Sequence, residues 1–165
     1  MMGFNSYCCN ARVLLLALAL SASVSQGRAA LGQAPSTPGA SALAVPGAKM
    51  LAIKPTDRSA AYTLHEFQLE NGTLVREYAN PAGVVFAVAW RGPLLPDLNV
   101  LLGNYFATFA LETERLRTGG RRGSPVNMEQ DGLVVRSNGR MRNFYGHAYS
   151  THLIPAGVAI KDVLK

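Results

Sequence analysis

The chain has 165 residues, a net charge of +6 at pH 7, and two cysteines, Cys8 and Cys9. That length suits one domain with its own hydrophobic core. Both cysteines precede the first apolar stretch, so everything after it lacks a disulfide, a thiolate nucleophile and a cysteine metal site.

Arg12 is followed by an apolar run, Val13 to Val24, and then by small residues ending in Gly27-Arg28-Ala29-Ala30. This order of charge, apolar core and small residues predicts a secretory signal peptide over residues 1–29, cut after Ala29. A cut after Ser25 is the rival. The run of 12 residues falls short of the roughly 20 that span a bilayer, so the processed chain is expected to carry no membrane span. The expected location is periplasmic or secreted.

Residues 30–59 are rich in Ala, Gly, Pro and Ser and show no amphipathic period, which predicts a flexible leader. The Lys49–Lys54 piece is apolar enough to dock as an edge segment. A single domain is expected over 60–165. Tyr62–Leu69 and Leu74–Tyr78 flank Asn71-Gly72, which predicts a β-hairpin with a type I′ turn. Asn80-Pro81-Ala82-Gly83 turns the chain into Val84–Trp90, apolar enough for a strand buried on both faces.

Pro96-Asp97 opens a helix, with Asp97 as its N-cap. Leu98, Leu101, Leu102, Tyr105, Phe106 and Phe109 form one apolar stripe at helical spacing, and Gly119-Gly120 ends the helix. Leu133–Arg136 and Met141–Tyr149 flank Asn138-Gly139, a second expected hairpin. Val158–Leu164 fits an edge strand or a short closing helix equally well. The order β-β-β-α-β-β predicts an α+β fold: an antiparallel sheet with one amphipathic helix packed on one face.

Ala30-Leu31-Gly32, Asn71 to Tyr78, Asn80 to Pro93, Pro96-Asp97-Leu98 and Leu102-Gly103 resemble the domain of unknown function 2844 family, exported proteobacterial proteins. The resemblance spans roughly 60–165. It implies an envelope or secreted location and brings neither an activity nor catalytic residues.

The residues themselves offer two candidate sites. A two-residue Asn71-Gly72 turn would set Glu66 opposite Glu77. Such a pair can raise one carboxyl pKa and serve a glycosidase-type hydrolase or a divalent cation. A neighbouring cation bridging the two, or a different register, is the simpler outcome. His65, His147 and His152 lack zinc-site spacing, no Gly-x-Ser-x-Gly motif is present, and no phosphate-cradling glycine motif exists. No cofactor, no metal and no enzymatic activity are therefore expected.

Positive charge gives the stronger lead. Residues 115–165 hold nine basic and three acidic side chains. Arg121 and Arg122 sit in a loop, and the second hairpin is expected to place Arg140 and Arg142 on one face, with Arg136 on the other. Converging, Arg121, Arg122, Arg140 and Arg142 would bind anions. The expected partner is an anionic envelope component (lipid headgroup, lipopolysaccharide or acidic glycan). Nucleic acid is disfavoured by compartment. The simpler alternative is a solvated basic face paired with Glu112, Glu114 and Glu129. A second class of function is a protein–protein module pairing through an exposed sheet edge, with Met141–Tyr149 as the candidate edge.

Overall fold

A computed structural model of the chain describes residues 31–35, 49–55, 61–120 and 125–164. The expected signal peptide and both cysteines lie outside the described residues. Seven strands form one antiparallel sheet: β1 (Lys49–Pro55), β2 (Thr63–Gln68), β3 (Leu74–Ala79), β4 (Val85–Gly92), β5 (Val126–Gln130), β6 (Leu133–Arg140) and β7 (Asn143–Ser150). Their order across the sheet is β1-β2-β3-β4-β7-β6-β5. Two meanders, β1–β4 and β5–β7, are thus joined where β7 pairs with β4. A helical segment between them packs on one face, so the fold is α+β as expected.

The expected helix is divided in two. Asp97 caps α1 (Leu98–Leu102), its Oδ1 accepting from the Asn99 N–H at 2.9 Å. Gly103, at φ 51°, then closes α1 in a left-handed geometry that favours glycine. One 3-10 turn leads into α2 (Phe106–Thr118). The stripe still does its work: Leu98, Leu101, Leu102 and Phe109 enter the main core with Val75, Val88, Trp90, Leu133 and Val135.

The segment expected as a leader holds two pieces of the fold. β1 pairs antiparallel with β2 as an edge strand. Leu31 is 0% exposed within the main core. Its N–H donates to the Leu101 carbonyl at 2.9 Å, while the Gly32 N–H donates to Val85 and the Val85 N–H donates to Gln33.

Both predicted hairpins exist, with different registers. Around Asn71-Gly72, the Gly72 N–H donates to the Leu69 carbonyl and the Leu69 N–H to the Thr73 carbonyl, with only Gly72 at positive φ. This is a three-residue loop, a type I turn ending in a left-handed glycine, not a type I′ turn. The extra residue moves every pair by one. Gln68 faces Leu74, Glu66 faces Arg76, and His65 faces Glu77. A one-residue slip decides which side chains meet.

The second turn sits at Met141-Arg142, with Arg140 paired to Asn143. Asn138-Gly139 lies inside β6, where the Phe144 ring occupies the space that a Cβ at Gly139 would need. A third hairpin joins β5 and β6 through Asp131 (φ 50°) and Gly132 (φ 74°), the two positive φ angles of a type I′ turn. β7 lies between β4 and β6, so Met141–Tyr149 is no free edge; the edges are β1 and β5.

Among the described residues, the face opposite α1 and α2 is covered at one end only. After a 3-10 turn at Thr151–Leu153, the chain ends in a short helix, α3 (Ile160–Val163). Val163 buries itself against Tyr78, Phe86 and Ala87 in a second apolar cluster. Among the described residues, nothing else covers the rest of that sheet face. Among the described residues, no helix is long and apolar enough to cross a membrane.

Candidate functional site: a basic hollow on the open sheet face

Strand pairing builds the site. Glu66, Arg76, Ala89, His147 and Arg136 are successive partners across β2, β3, β4, β7 and β6, so they form one row on the open face. The adjacent row holds Leu74, Arg91, Tyr145 and Asn138. Ala89 stands between two larger neighbours and leaves a depression. The result is a hollow of about 550 Å³, lined by Arg76, Arg91, Tyr78, Tyr145 and His147, with Leu164 of the tail at its border. That volume lies in the range of small-molecule sites.

The Arg76 Nε donates to Glu66 Oε2 at 2.6 Å. This bond is the main reason the Arg76 pKa is raised, and it fixes the guanidinium over the sheet while using Nε and not the terminal nitrogens. The pair is part-exposed, so its own contribution to stability is at most about 1 kcal/mol. Arg91 is exposed at the end of β4. Burial raises the Tyr78 pKa, keeping the phenol protonated.

Burial, helped by the positive charge of Arg136, lowers the His147 pKa from 6.5. The imidazole is therefore neutral near pH 7. A base with a lowered folded pKa binds more protons when unfolded, so acidification below about 6.5 favours unfolding. The urea midpoint is expected to be lower at pH 5 than at pH 7.5, and His147→Gln should shrink that difference. An unchanged difference in the variant would remove His147 from this role.

The expected acid pair does not form. Glu66 is bridged to Arg76, the outcome of a different register with a neighbouring cation. Glu77 is 0% exposed on the helix-covered face, opposite His65 in register. Its burial puts that carboxylate out of reach of a substrate on the open face. Among the described residues, no group of three His, Cys, Asp or Glu side chains is placed to hold a metal ion.

Of the four arginines expected to converge, Arg121 and Arg122 lie outside the described residues. Arg140 ends β6, and Arg142 occupies the following turn; both are exposed. With the turn moved, Arg136 and Arg140 share one face of β6 by the two-residue period, reversing the expected grouping. The alternative pairing is found on α2, where Arg115 meets Glu112 at 2.6 Å and Arg117 meets Glu114 at 3.3 Å. These pairs involve helix arginines only. Trp90 is a core aromatic, 3% exposed.

A family model described as "Protein of unknown function (DUF2844)" matches residues 27–163. The chain belongs to the DUF2844 family. The match takes in every strand and helix described above, Leu31 and β1 included. DUF2844 membership supports the fold-wide resemblance seen in the Asn80–Pro93 run, and its description assigns no activity. No curated protein and no solved structure matches the chain.

The set Arg76, Arg91, Arg136 and His147 was not visible as a set in the sequence. Its members are 11 to 71 residues apart and meet only because β7 inserts beside β4. The one available signal was the alternation of polar residues with apolar ones along β3 and β7, which marks a face without saying which strands share it.

Proposed function

We propose that this DUF2844 protein is an exported, non-enzymatic binding module that holds an anionic group in the hollow on its open sheet face. The observation that carries the reading is that Arg76, Arg91, Tyr145 and His147 line one hollow around Ala89. Two guanidiniums offer charge-assisted hydrogen bonds, a neutral imidazole and a phenol offer directional ones, and alanine supplies the room. An acidic glycan or a phosphate-bearing envelope component fits that chemistry. Export to the periplasm or beyond follows from the amino-terminal order of Arg12, apolar run and small residues. The antiparallel sheet holds the side chains in place through its strand pairing.

Titration of the protein with inorganic phosphate and with glucuronate, followed by NMR, tests this. Resonances of His147 and Tyr145 should shift on saturation, and the His147 pKa should rise when the anion is bound, because a nearby negative charge favours imidazolium. Arg91→Ala should weaken binding by roughly 10-fold or more, the worth of one hydrogen bond to a charged group. Unmoved resonances with both anions at millimolar concentration, or an Arg91→Ala variant that binds as the parent does, would overturn the reading.

A further inference from the structure

The β6–β7 hairpin projects from the sheet. β5 begins at Val126, opposite Ser137, and β4 ends at Gly92, opposite Phe144. Arg140 to Asn143 therefore reach past the strands on both sides. At the apex Met141 is 95% exposed, between the exposed Arg140 and Arg142. Neighbouring parts of the same rim carry Arg91 at the end of β4 and Leu94 and Leu95 in the loop after it, with Leu94 54% exposed. From Gly132 to Lys161 the sequence has no acidic residue. Among the described residues, the carboxylates on this rim are Glu70 in the β2–β3 turn and Asp97, whose Oδ1 is engaged at the start of α1.

Local preference does not explain this apex. Arg142 takes φ 64°, a conformation that glycine or asparagine adopts at less cost. A fully exposed thioether at a turn gains nothing from water. Both choices make sense at a boundary where apolar and anionic layers lie a few ångströms apart.

We propose that this rim docks on an anionic phospholipid bilayer, with Met141 entering the headgroup boundary and Arg140 and Arg142 engaging the lipid phosphates. Leu94 and Leu95 extend the apolar part of the footprint, and Arg91 extends the basic part. Arg91 borders both surfaces, but Arg140, Met141 and Arg142 do not line the hollow, so variants at the tip test this proposal separately from the hollow.

The test places an environment-sensitive fluorophore on the full chain at M141C, with Cys8 and Cys9 changed to serine, and a control label at L111C. Leu111 is 75% exposed on α2. Adding vesicles of phosphatidylcholine with 30% phosphatidylglycerol should shift emission at position 141 to the blue, leave position 111 unchanged, and lose strength as salt rises. Pure phosphatidylcholine should give little shift. Arg140→Gln with Arg142→Gln should weaken vesicle binding by about 25-fold, taking roughly fivefold per arginine near the surface. Arg76→Gln, which alters the hollow, should leave vesicle binding intact.

No shift at 141 with the anionic vesicles, or an equal shift at 111, would overturn the proposal. A concentration-dependent shift without vesicles would put a second copy of the chain on the rim and overturn it as well. Phosphate binding at the hollow that survives such a failure would leave the hollow's role standing.

Discussion

Leu31→Ala is expected to destabilise the protein by about 2–5 kcal/mol, the range for truncating a fully buried leucine. Leu31 is enclosed in the main core with Leu101 and Leu102, and its backbone is tied to the carbonyl of Leu101. Gly32 and Gln33 bond to Val85, the first residue of β4, so the side chain cannot withdraw without breaking these bonds. The cavity left behind would therefore be poorly filled by relaxation. Urea denaturation measures the effect as a fall in midpoint of roughly 1–3 M, given a slope of about 1–3 kcal/mol per molar. A change below about 0.5 kcal/mol would mean that Leu31 is not a core residue in solution. Both expected processing positions, after Ser25 and after Ala29, retain Leu31, so a chain cut at either one would keep this anchor.

The second large effect is expected from Gly146→Ala. Gly146 is in the interior strand β7, directly opposite Trp90. A Cβ there would stand 2.5 Å from the Arg136 carbonyl oxygen and 2.6 Å from Trp90 Cζ2. Neither neighbour can yield cheaply: one is sheet backbone, and the other is a buried indole held in the main core. Overpacking of this kind costs about 1–3 kcal/mol and more where backbone must move. Its position at the junction of the two meanders argues for the upper end. Thermal unfolding should fall by roughly 10–20 °C, at about 4–8 °C per kcal/mol for a domain near this size. Trp90→Leu combined with Gly146→Ala should show less than the sum of the two losses, because both act on one space. Gly119→Ala is the matched control: its Cβ would meet nothing closer than 3.4 Å. A Gly146→Ala protein as stable as that control would show that the strands separate more readily than their packing implies.

The sequence made the elements legible where local chemistry dictates them. Asp97 caps its helix, the apolar stripe from Leu98 to Phe109 faces the core, and Asn71-Gly72 lies in a turn. It hid what depends on one residue of register. Asn-Gly supports both a two-residue and a three-residue loop, and the choice moved Glu66 from Glu77 to Arg76. Asn138-Gly139 looked like a turn, yet the Phe144 ring needs the bare glycine as a packing surface. Asp131-Gly132 carried an equally good turn signal and went unread, and with it the strand Val126–Gln130. Its alternation is weak because β5 is an edge strand with only Met128 buried. The hollow was illegible for a deeper reason. Periodicity identifies a face of one strand, whereas the site requires knowing that β7 crosses to β4, a pairing between segments some 50 residues apart.

That crossing also has a consequence in time. β4 is apolar on both faces, and one of its hydrogen-bonding edges is satisfied only by β7. During synthesis, the 58 residues from the end of β4 to the end of β7 follow at about 5–20 residues per second. For roughly 3–12 s, then, the growing chain carries a sticky ribbon whose natural mate has not yet been made. A ribosome that stalls in the helix, or a message truncated before residue 143, would release a chain with that ribbon permanently bare, ready to pair with its own copies.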